Sequence, residues 1–149
     1  MASELSGTGH IPTPLILDIT VLSDLARGDA DTIRLIQGYD ARGQPMVVPT
    51  LAITWALLDA YTADAVDAIR GLTRLTEVTV APLKDAKQAS SLAMVIATTG
   101  LDAGDAHVAA VADAAICPIL TREAARWQQP SAALDNPLHI IEIADPDYR

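Results

Sequence analysis

From Pro14 onward the chain alternates short apolar runs with longer stretches of helical periodicity. Leu15-Ile16-Leu17-Asp18 reads as a buried parallel strand that delivers a carboxylate at its carboxyl end. Thr20 to Ala26 reads as helix, and Gly28 breaks it. A second helix is expected over Ala30 to Tyr39, with Ile33, Leu35 and Ile36 on its apolar side. Gly43-Gln44-Pro45 marks a turn, Met46 to Pro49 a second buried strand, and Thr50 the cap of a helix reaching Tyr61. Thr62-Ala63-Asp64 starts a helix carrying Val66, Ile69, Leu72 and Leu75, and Glu77 to Val80 then alternates as a strand does. Lys84 to Thr98 is helical by composition and stops at Gly100, and Asp102 to Ala115 makes one more helix. Cys117 to Leu120 and Leu138 to Ile143 are the last two strands, separated by a Pro- and Gln-bearing segment around Trp127. Residues 1–13 lack periodicity and predict a mobile arm ahead of one domain over 14–149.

Strands separated by helical segments imply right-handed crossovers and a mainly parallel sheet with helices on both faces. The expected class is therefore α/β, in three layers. In such sheets ligands sit beyond the carboxyl ends of the strands, where strand order reverses. At 149 residues the chain suits a single domain.

Composition narrows the function. Half the residues are hydrophobic, yet no apolar run approaches the roughly 18 residues of a membrane span. No basic segment followed by an apolar stretch opens the chain, so a soluble, cytoplasmic protein without membrane contact is expected. The lone Cys117 has no disulfide partner and reads as a small buried residue. A net charge of −9 opposes unassisted binding to a polyanion. The same charge suits carboxylates that hold divalent cations, or a surface that meets a basic partner.

Three acids fall where the sheet rule looks for chemistry: Asp18 after the first strand, Asp105 at a helix start, and Glu123 just past Leu120-Thr121-Arg122. Each has a structural alternative. Asp18 suits a helix cap, Asp105 a helix dipole beside the cap Asp102, and Glu123 the first turn of a final helix. His107 shares a helix with Asp105 and reads chiefly as a half-buried or surface histidine. Trp55 and Trp127 read as core or interface anchors. Arg122 and Arg126 suit either a phosphate or neutralisation of the acids, the negative charge favouring the second.

Together these segments resemble the PIN domain family, in particular its toxin-type, VapC-like ribonucleases. Leu15 to Leu22 resembles the family's opening strand, which ends in Asp and is followed two residues later by Ser or Thr, here Thr20. Gly100 to Ala110 resembles the later helix start, with the motif Asp at Asp105, and Ile119-Leu120-Thr121-Arg122-Glu123 resembles its strand followed by Thr-Arg-Asp. The likeness spans about Pro14 to Ile143. It implies a five-stranded parallel sheet of order 3-2-1-4-5 and four acids holding Mg²⁺ or Mn²⁺ for RNA hydrolysis. Here the implied catalytic and metal residues are Asp18, Asp105 and Glu123, with Thr20, Asp59, Thr121 and Arg122 as auxiliaries. An antitoxin partner and a homodimer are implied too.

Two positions depart from the pattern. The family's Glu after the second strand falls at Trp55, and the nearest acid on that helix is Asp59, one turn away, about 6 Å along the axis. Glu123 stands where Asp is usual, adding a methylene to a ligand whose geometry Mg²⁺ restricts. Two functions stay open at this point: a metal-dependent toxin-type ribonuclease with weakened or lost activity, and an inactive PIN-like binding or assembly module.

Overall fold

The computed structural model describes residues 11–144. Of the expected arm, Ile11 to Thr13 are exposed and outside any element, and the remainder lies outside the described residues. The elements run β1 (Leu15–Leu17), α1 (Ile19–Ala26), α2 (Ala30–Ala41), β2 (Met46–Pro49), α3 (Thr50–Asp59), α4 (Ala63–Thr73), β3 (Val78–Ala81), α5 (Ala86–Thr99) and α6 (Ala103–Ala115). They continue with β4 (Ile119–Thr121), a 3₁₀ turn (Ala124–Trp127), α7 (Gln128–Ala133) and β5 (Ile140–Glu142).

All five strands are parallel, in the order β3-β2-β1-β4-β5, as the family resemblance implied. Ile16 of the central strand pairs with Val47 of β2 on one side and Ile119 of β4 on the other. Every residue of β1 and β4 is buried. Successive side chains point to opposite faces, so both faces must be covered, which requires helix layers on each side. Strand order reverses between β1 and β4, and their carboxyl ends deliver Asp18 and Thr121 into that crevice.

Local sequence explains most boundaries. Asp18, Asp29, Thr62, Asp85 and Asp102 each cap the helix that follows, accepting an amide hydrogen from three residues on. Gly100 ends α5 at φ +74°, where a residue with a Cβ is strained. Ile116 ends α6 in the same left-handed region, at φ +53°, although its branched side chain disfavours it there.

Two expectations need correction. Thr50 does not cap α3: it is the first helical residue, after Pro49, whose side chain offers no acceptor. The Leu51 amide instead donates to Nδ1 of His107, 3.3 Å away on α6. His107 thus caps a neighbouring helix from its side, which requires neutral imidazole, and burial lowers its pKa accordingly. The segment around Trp127, expected as a Pro- and Gln-bearing connection with a final helix starting at Glu123 as the alternative, folds into the 3₁₀ turn, which follows Glu123, and α7. Pro130 is tolerated because it is the third residue of α7, where the helix has no carbonyl for an amide to reach.

Candidate functional site

Asp18 is fully buried at the end of β1, and the chain itself satisfies both of its carboxylate oxygens. Oδ1 accepts from the Thr20 hydroxyl at 2.5 Å and from the Val21 amide at 3.2 Å. Oδ2 accepts from the indole Nε1–H of Trp127 at 2.9 Å. Thr20 extends the network, because its oxygen accepts the Arg122 amide at 2.9 Å and lies 3.3 Å from the Thr121 hydroxyl. Thr121 in turn accepts the Glu123 amide at 3.0 Å. Thr20 and Thr121 thereby fix the path of the chain as it leaves β4.

Asp105, in the first turn of α6, is also buried. Arg126 Nη2 lies 2.5 Å from its Oδ2. Its Oδ1 is buried without a hydrogen-bond partner. Adjacent residues of one 3₁₀ turn thus hold the two acids: Arg126 takes Asp105 and Trp127 takes Asp18. Burial raises the Asp105 pKa most, the Arg126 charge opposes it, and the nearby Asp102 and Asp18 carboxylates push it further up.

The remaining candidates lie outside this buried pair. Glu123 is exposed at the rim. Asp59 is 59 % exposed and pairs with Arg27 at 3.1 Å. Arg122 turns from the acids to Asp24, with Nε 3.1 Å from Oδ2, and Arg126 supplies the neutralising charge. Trp55 lines an open cleft of about 580 Å³ with Thr20, Asp59, Asp102, Glu123 and Arg126. It also packs on the start of α6: a Cβ built on Gly104 would lie 2.8 Å from Trp55 Cγ. Trp55 therefore stands beside the residue preceding Asp105.

Sequence reasoning undervalued three residues. Trp127 read as an anchor without a polar partner, although a buried indole N–H needs an acceptor and Asp18 was the buried acceptor at hand. Arg126 has no sequence signal that separates it from Arg122. Gly104 does carry a signal: a glycine in the first turn of a helix costs stability relative to Ala unless something needs the space.

As placed, Asp18, Asp105 and Glu123 do not form a Mg²⁺ or Mn²⁺ centre. Such ions require several oxygen ligands in near-octahedral array. Three of the four oxygens of Asp18 and Asp105 accept hydrogen bonds from the chain's own donors, and Asp105 Oδ1 is without one. Among the described residues no group of three or more His, Cys, Asp or Glu side chains is placed to hold a metal ion.

The raised Asp105 pKa has a measurable consequence. Between the ordinary carboxyl value of 3.8 and the higher folded value, the folded state binds a proton that the unfolded state has released. Asp105 therefore contributes stability that is fully present below 3.8 and is lost as pH rises through its folded pKa. Asp105→Asn removes this dependence. His107 gives the opposite slope, losing stability as pH falls from 6.5 through its lowered folded pKa, and it is common to both proteins. In urea denaturation across this range, wild type minus Asp105→Asn should fall with rising pH; a flat difference would show that burial does not disfavour the charged form.

No protein-family model and no curated protein matches the chain. Solved structures do. VapBC2 from Rickettsia felis, bound to a DNA fragment from their promoter, matches with a TM-score of 0.61 at 9 % identity, over 87 % of this chain and 98 % of that one. PAE2754 from Pyrobaculum aerophilum matches with a TM-score of 0.50 at 19 % identity, over 86 % of this chain and 91 % of that one. Identities this low speak for the fold, and they agree with the all-parallel order β3-β2-β1-β4-β5. The chain has the fold of a VapC-like PIN domain.

Proposed function

We propose that this chain is a toxin-type PIN protein whose Mg²⁺- or Mn²⁺-dependent ribonuclease activity is weakened or lost. The supporting observation is that Arg126 and Trp127 occupy the acids from within the chain. A guanidinium 2.5 Å from Asp105 supplies the positive charge that carboxylates near one another require. Trp55 removes a further acid, so little repulsion is left for a divalent ion to relieve. Likeness to the VapBC2 complex supports an antitoxin partner in this reading, and the family resemblance adds a homodimer and RNA as the substrate class.

The test pairs melting curves with RNA cleavage. An intact site with a dissociation constant a hundredfold below the added Mn²⁺ would stabilise the fold by about 2.7 kcal/mol. The expected result is no Mn²⁺-dependent rise in Tm, and no cleavage above that of Asp18→Asn. Chelator-sensitive cleavage that Asp18→Asn abolishes, accompanied by a rise in Tm with Mn²⁺, would overturn the proposal.

A further inference from the structure

A second cleft, of about 400 Å³, lies between α2 and the chain leaving β5, and it shares no lining residue with the cleft over the acids. Arg34, Arg42 and Arg122 line it together with Asp31, the one carboxylate among its described lining residues, and Asp24 reaches Arg122 from beside it. Three of the ten Lys and Arg residues in a chain of net charge −9 thus converge on one concavity. With Arg34 and Arg122 each paired to one carboxylate, the cleft keeps Arg42 as its unpaired guanidinium among the described residues, and two further guanidiniums whose remaining N–H groups flank it.

The arginines come from different places and are held. Arg34 and Arg42 lie about 12 Å apart along the α2 axis, and Arg122 reaches in from the end of β4. Arg34 is paired with Asp31, and Arg122 with Asp24 at 3.1 Å. Arg42 has no carboxylate partner among the described residues. Its guanidinium lies 5.5 Å from the Tyr39 ring centroid, and its Nη1 is 3.2 Å from where a Cβ on Gly38 would be. The ring and the bare glycine seat the group and reduce the side-chain entropy that an anion would have to remove.

We propose that this cleft binds a phosphate group, with Arg42 as the principal contact and Arg34 and Arg122 as flanking donors. One guanidinium fork satisfies a planar carboxylate, whereas forks from three positions suit a tetrahedral oxyanion with acceptors on several sides. The cleft is larger than a phosphate ion, which leaves room for an attached organic group. Free phosphate, a nucleotide and the end of an RNA share this chemistry. The site uses neither Asp18 nor Asp105, so it stands whether or not hydrolysis survives.

The test is calorimetry on the full chain at low salt with EDTA present, using inorganic phosphate, adenosine monophosphate, and short single-stranded RNAs with and without a 5′-phosphate. Arg42→Gln is compared with wild type, and Arg70→Gln, on α4, is the charge control. At least one phosphate-bearing probe should bind, and Arg42→Gln should weaken it about tenfold while Arg70→Gln changes it little. Binding of inorganic phosphate alone identifies a free-anion site, preference for the monophosphate a nucleotide site, and preference for the 5′-phosphorylated RNA an RNA-end site. Asp145 and Asp147 follow Ala144 in sequence and carry negative charge, so Asp145→Asn/Asp147→Asn is titrated as well. Binding seen only in this variant, and lost again when Arg42→Gln is added, still supports the site. No binding by either protein, or equal losses in Arg42→Gln and Arg70→Gln, overturns it.

Discussion

Trp127→Ala should destabilise the fold by about 4 kcal/mol or more, the largest effect expected of any single substitution in this chain. Trp127 is 1 % exposed and ranks among the largest fully buried side chains. Truncating a buried Trp usually costs about 3–5 kcal/mol through lost burial and the cavity left behind. Here the indole N–H is also the donor to Asp18 Oδ2, and Asp18 has no exposed surface through which water could replace it. An abandoned buried acceptor adds about 1–3 kcal/mol. Trp127→Phe separates the two contributions, because it keeps most of the ring and removes only the donor, with an expected loss of about 1–3 kcal/mol. Chemical denaturation of the three proteins decides the matter. If Trp127→Phe costs nothing, the hydrogen bond to Asp18 is not stabilising and the tryptophan acts by volume alone.

The same pair of residues shows where sequence reading succeeds and where it stops. The apolar runs at Leu15, Met46, Val78 and Ile119 marked four strands within one or two residues, because a strand covered on both faces has few ways to be polar. Asp102 and Gly100 marked helix ends through local hydrogen bonding and backbone freedom, both of which depend only on neighbours in sequence. Strand order was legible only through the family resemblance, since periodicity does not say which strands touch. The positions of Asp18 and Asp105 were legible as carboxylates near the switch point. Their partners were not. Trp127 lies 109 residues from Asp18, and Arg126 lies 21 from Asp105, so the contacts depend on how the chain turns after Thr121. That turn is set by a tertiary hydrogen bond from the Arg122 amide to Thr20 and a local one from the Glu123 amide to Thr121, and the first of these could not be read from neighbours in sequence. The cap from His107 to Leu51 was invisible for the same reason, spanning 56 residues.

Gly104→Ala is the second large expected effect, and its sign runs against helix propensity. In an exposed helix the change would stabilise by about 1 kcal/mol. At this position the new methyl would meet Trp55 Cγ at 2.8 Å, Ile19 Cδ1 at 2.9 Å and Trp55 Cβ at 3.0 Å. The Ile19 contact is the tip of a flexible side chain and can swing aside. The Trp55 atoms are the root of the indole, so relief requires α3 to move against α6, two helices that pack together. Overpacking of this kind costs about 1–3 kcal/mol and exceeds the gain in propensity. A double-mutant cycle with Trp55→Ala isolates the clash. With the indole gone, Gly104→Ala should become neutral or stabilising by up to about 1 kcal/mol, giving a coupling of about 1–3 kcal/mol between the two sites. Additive losses would mean that Trp55 does not rest on Gly104. That result would remove the contact which places Trp55 at the start of α6, beside Asp105.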